Sequence, residues 1–172
     1  MHGVFKKTPK PTNALLDAIS EHMEAEPARV WDGDADGDIT DWNGGNPVGV
    51  AWFRAADTGR PWDTIVTVGM SRHEMVLRSD WATDTDLPRR EIVTYADDES
   101  LADDIVRWMR WLAKYPFAET PRAFLGWGHT VPIEKPLFAG SSLTTHFFLD
   151  PLVRPDRQLR LTVDGAPASL LW

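Results

Sequence analysis

A chain of 172 residues without cysteine, in which 26 Asp and Glu outweigh 18 Lys and Arg for a formal net charge of −8, is bounded by its composition alone. Disulfides, thiolate metal sites and a cysteine nucleophile are excluded, and the acidity repels nucleic-acid phosphate while it attracts basic partners. No apolar run reaches membrane-spanning length and Met1-His2-Gly3-Val4-Phe5-Lys6-Lys7 lacks the apolar core of a signal peptide, so a soluble, cytoplasmic protein is expected.

In chain order, residues 1–11 read as a basic, proline-containing arm, and 12–172 as one domain large enough for its own core. Thr12 or Asn13 can cap a helix running to about Ala25, with Leu15, Leu16, Ile19 and Met23 on one face. Pro27 to Pro47 reads as a polar loop rich in Asp and Gly. Val48–Ala55 alternates as a strand does, and Trp62–Val68 is β-branched and apolar; the turn 57–61 joins them. A third strand is expected over Glu74–Arg78 and a fourth over Glu91–Tyr95.

The clearest helix spans Ser100–Tyr115, with Leu101, Ile105, Trp108 and Leu112 as its buried stripe and Met109 beside them. Asp103 and Asp104 sit early and Arg107, Arg110 and Lys114 late, the order that complements the helix dipole. Pro116 is expected to end the helix by forcing Tyr115 out of α conformation. Trp108 reads as core. Trp111, partly off the stripe, reads as core too, the alternative being a partner-facing hot spot. Short strands follow near 123–125, 130–133, 144–149, 158–163 and 168–172, with Asp164-Gly165 as a hairpin turn before the last. Two main helices and many strands that do not alternate regularly give an α+β class with a mixed β-sheet flanked by helices.

Several segments carry a likeness beyond pattern. They are T-I-V-T-V-G-M-S at 64–71, E-M-V-L-R-S at 74–79 and W-L-A-K-Y-P at 111–116. G-W-G-H-T-V-P at 126–132 and G-S-S-L-T-T-H-F-F-L-D-P at 140–151 complete the series. In this order and spacing, over roughly Pro47 to Pro151, the chain resembles the Suppressor of fused domain family. The resemblance implies a single mixed-sheet domain of the bacterial kind. Bacterial members are mostly immunity proteins that bind and neutralise a toxin, often a nuclease, made by the same cell. Animal members bind and restrain a zinc-finger transcription factor through two domains. This chain departs from the pattern by ending on Leu170-Leu171-Trp172, where relatives continue.

The sharpest local motif is D-G-D-A-D-G-D-I-T-D-W-N at 32–43. Asp32, Asp34 and Asp36 stand at calcium-loop spacing, with Gly37 for the sharp turn and Ile39 as the apolar anchor. Position twelve, however, is Asn43 where a bidentate Glu belongs, and Pro27 and Gly44-Gly45 leave no flanking helices. An acidic loop that solvates itself or meets a partner fits better. No cofactor is called for. His2, His22, His73, His129 and His146 show no metalloprotease spacing, and A-G-S-S-L at 139–143 is not a nucleophile elbow. The reading is a non-enzymatic protein-binding domain that occludes a basic protein partner such as a cognate toxin. Asp32, Asp34, Asp36, Asp38 and Asp41 are the expected contact residues. The alternative is a calcium-responsive or peptide-binding regulatory module.

Overall fold

The computed structural model describes residues 13–32, 48–77, 87–118, 124–133, 135–137 and 141–172. Helix α1 (Ala14–Met23) is followed by strands β1 (Arg29–Trp31) and β2 (Gly49–Phe53), a one-turn helix α2 (Ala55–Thr58), and strands β3 (Asp63–Val68) and β4 (Arg90–Ala96). Then come α3 (Ala102–Ala118), β5 (Thr130–Pro132), β6 (Thr145–Phe147), the short α4 (Arg154–Gln158), β7 (Leu161–Val163) and β8 (Ala166–Leu171). Six strands form one sheet in the order β1-β2-β3-β4-β8-β7, and β5-β6 forms a separate pair. In the six-stranded sheet β4 and β8 run parallel and the other pairings antiparallel, which makes the expected α+β mixed sheet.

The sheet is covered on both faces, and the period of two in its strands sorts side chains between them. Val50 and Trp52 of β2, Ile65 of β3, Ile92 of β4 and Leu171 of β8 pack with Ile105, Met109 and Leu112 of α3. Their neighbours Ala51, Phe53, Val66, Val93 and Leu170 pack with Leu15, Ile19 and Met23 of α1. Burial on both faces explains why these strands read as near-continuous apolar runs rather than alternating ones.

Several elements differ from expectation. Helix α3 runs through Pro116 to Ala118 instead of stopping at Tyr115. The proline costs one backbone hydrogen bond in the last turn, but Pro116 and Phe117 are buried, and core packing of Phe117 offsets that by about 1.5–3 kcal/mol. Glu74–Leu77 is not a strand: a 3-10 turn, Met70–Arg72, bends the chain away, and Val76 and Leu77 stay exposed. The polar stretch after Pro27 contains β1, an edge strand. A one-turn helix, α4, takes the residues just before β7.

Candidate partner-binding site

An open groove of about 530 Å³ lies where the C-terminal part of α3 meets the start of β5. Tyr115 forms one side, Phe124 and Leu125 the base, and Gly128–Val131 the other side. The turn before β5 is tightly fixed. Gly128 has φ +81°, a left-handed conformation that costs glycine little. Its N–H donates to Phe148 O (2.8 Å), and His129 N–H donates to Gly126 O (3.2 Å). His129 Nδ1 lies 2.7 Å from Phe124 O and therefore carries the proton, which locks the ring across the turn. Below, Leu125 N–H donates to the Met75 sulfur (3.5 Å), so the base of the groove rests on the segment that follows the 3-10 turn.

Exposed aromatic side chains neighbour residues that line this groove. Trp127, at the turn between Gly126 and Gly128, is 63% exposed; Trp111, its ring 5.6 Å from that of Tyr115, is 42% exposed. Phe147, 49% exposed, stands directly opposite Thr130 across the β5–β6 pair. The core placement expected for Trp111 is thus corrected: it sits three residues past Trp108, off the buried stripe, and faces outward. Trp108 packs against the core as expected. Large aromatics left in water beside a preformed groove are the usual mark of a protein-docking surface.

Behind the groove, β6 turns His146 inward, opposite the buried Val131. Its ring lies 4.6 Å from Trp108 and 4.3 Å from Phe148. Burial pushes the imidazole down to about 4, so it is neutral near pH 7. His129 and His146 do not combine into one site: His129 bonds Phe124 O and His146 enters the aromatic layer.

Two further polar clusters are structural. Glu91 is fully buried and accepts from the hydroxyls of Thr67 (2.6 Å) and Ser71 (2.5 Å) and from the N–H groups of Gly69, Met70 and Ser71. Burial pushes its carboxyl up, against the downward pull of those bonds. Asp156 accepts from Arg60 and Tyr95 (both 2.8 Å) and meets His22 Nε2 at 2.8 Å, joining α4 to α1, β4 and the turn after α2. Burial alone would raise the Asp156 carboxyl, but those three partners hold it below its ordinary value.

Of the acidic loop, Asp32 is described. It is exposed, and its carbonyl accepts from the buried Arg110 of α3 (2.9 Å), as does Trp31 O (3.1 Å). Asp34, Asp36, Asp38 and Asp41, and with them the calcium-loop motif, lie outside the described residues. An acidic surface that is described runs along α1, where Asp17, Glu21, Glu24 and Glu26 line a shallow depression of about 570 Å³. Asp98 caps the turn leading into α3, accepting from Ser100 N–H (2.8 Å). Among the described residues no group of three His, Asp or Glu is placed to hold a metal ion, and no helix is long and apolar enough to cross a membrane.

The groove leaves little trace in the sequence. Its available signals were a Trp between two glycines and a Trp displaced from the apolar stripe of its helix. A family model described as Suppressor of fused protein (SUFU) matches residues 44–171, a span that contains the whole groove. No curated protein and no solved structure matches the chain.

Proposed function

This chain belongs to the Suppressor of fused family of protein-interaction domains, and from that premise we propose that it is an immunity protein, neutralising a toxin, possibly a nuclease, of the cell that makes it. It binds and occludes; it carries out no reaction. The observation that carries the docking half of this reading is the groove with Trp111, Tyr115, Trp127 and Phe147 around it. The immunity half rests on the likeness to bacterial single-domain members. The net charge of −8 supports a basic partner. Acidic side chains at Asp32, Asp34, Asp36, Asp38 and Asp41, together with Asp17 and Glu21 of α1 and Glu24 just past its end, would steer such a partner and raise its association rate.

Co-expression with a basic toxin domain, sought among the products of neighbouring genes, tests the reading. Growth should be restored by this chain. Trp111→Ala with Trp127→Ala should keep the fold, because neither side chain belongs to the buried core. Binding should weaken at least ~100-fold, since a hot-spot aromatic is worth about 2 kcal/mol or more. Asp34→Lys with Asp36→Lys should instead slow association and flatten its salt dependence. Full rescue and unchanged affinity in the tryptophan double variant would remove the groove from the account.

A further inference from the structure

The β5–β6 pair depends on the rest of the molecule in an unusual way. It has no place in the six-stranded sheet, and an isolated pair of strands is marginal in water. A backbone tie follows β6, where Leu149 and Trp172 exchange hydrogen bonds. The pair is also held by what it turns inward. Val131 and Phe148 enter the core beside α3, and between them His146 packs against Trp108.

That inward layer contains a polar atom in an apolar setting. His146 Nε2 and the neighbouring Trp108 Nε1 are both buried and have no hydrogen-bond partner among the described residues. A neutral imidazole tolerates this. An imidazolium must donate from both nitrogens and carries a charge into an aromatic layer. The attraction of aromatic faces for cations opposes the penalty, but burial prevails and lowers the imidazole to about 4. Burial is the whole of the cause. The charged and titratable groups of α3 (Asp103, Asp104, Arg107, Arg110, Lys114 and Tyr115) and His129 beside β5 contribute nothing to it. His73, across the core against Phe117, is lowered as well, by burial and by Arg89 and Arg72.

We propose that the β5–β6 pair is an acid-labile wall of the groove: it stays packed on α3 while His146 is neutral, and protonation of His146 releases it while the six-stranded sheet remains folded. The sign follows from linkage. A histidine whose folded value is lowered contributes stability above its ordinary value of 6.5, and that contribution is lost as pH falls towards 4. The opening constant of the pair should therefore rise roughly 20-fold between pH 7 and pH 5. The carboxylate of Asp156, held below its ordinary value, is still charged at pH 5, so the sheet keeps that brace. Loss of partner binding on acidification rests on the groove reading above; the opening itself does not.

Hydrogen exchange of the full chain, without partner and corrected for intrinsic rates, reads it. Protection at Gly128, Ile133 and Phe148, whose N–H groups join the two segments at either end of the pair, should fall about 20-fold from pH 7 to pH 5. Amides of β2 and β3 should hold theirs. His146→Phe should abolish the fall. Unchanged protection in the pair, a fall matched in β2 and β3, or the same fall in His146→Phe overturns the proposal. A direct titration of the His146 ring decides it without any variant, and a midpoint at or above pH 6 overturns it. If the pair opens as expected yet toxin affinity is the same at pH 5 and pH 7, the wall is labile and the groove reading is what fails.

Discussion

Replacing Glu91 with Ala should remove a large part of the stability of this domain. The carboxylate is fully buried and takes five hydrogen bonds, three of them from consecutive N–H groups at Gly69, Met70 and Ser71. Truncation leaves those donors without an acceptor in a space the sheet has closed. A buried donor left unsatisfied costs about 1–3 kcal/mol, so even with water entering the cavity the loss is about 4 kcal/mol or more. Against a total of about 5–15 kcal/mol, that brings the domain near its unfolding limit. Gln is also a poor replacement, because both carboxylate oxygens face donors and an amide NH₂ would oppose one set. Urea denaturation of both variants measures this; a loss below 1 kcal/mol in Glu91→Ala would show that the cage is dispensable. The consequence reaches the groove. Glu91 fixes the 3-10 turn, the chain then leads to Met75, and the Met75 sulfur accepts from Leu125 at the groove base.

The second large effect is expected at Asp156. Its side chain is wholly buried and is braced by Arg60, Tyr95 and His22. Removing one partner of a buried, hydrogen-bonded charge pair typically costs about 3–5 kcal/mol, and Asp156→Ala should fall in that range, detaching α4 from α1. The pH dependence carries a definite sign. Because the folded carboxyl sits below its ordinary value, its contribution is present above the unfolded value of about 3.9 and is lost as pH falls through the lower folded value. Wild-type stability should therefore drop in the acid range below about pH 4, and the drop should be shallower in Asp156→Asn. Parallel acid-unfolding curves for the two proteins would contradict this account of the brace.

The parts of the fold legible in the sequence are those whose cause is local. Leu15, Ile19 and Met23 recur at helical spacing, and the β-branched run at Thr64–Val68 has few other states open to it. The turn at Asp164-Gly165 is set by two residues with positive φ, 51° and 79°. What stayed hidden has causes outside the local window. β1 is three residues long, mostly exposed, and exists because Arg29–Trp31 pairs with Val50–Trp52. α4 is five residues beginning Arg154-Pro155 and leaves no periodic trace. Val76 and Leu77 look like strand residues, yet the preceding turn, pinned by Glu91, carries them off the sheet.

The candidate site divides along the same line. The acidic character of the surface is countable from composition, and Trp111 announces itself by lying off its stripe. The groove, by contrast, needs Tyr115 and the Gly128–Val131 segment in one place, and only the packing of β5–β6 on α3 provides that. The pairing of His22 with Asp156, 134 residues apart, is equally invisible to spacing rules.

A hydrogen-exchange footprint of this protein bound to the basic toxin domain proposed as its partner tests the docking face most directly. Exchange should slow in the Gly126–Val131 segment, around Phe147 and at the C-terminal part of α3, with the toxin's activity blocked at one-to-one stoichiometry. Inhibition of the toxin with those segments unprotected, and protection confined to a remote face, would contradict the groove reading.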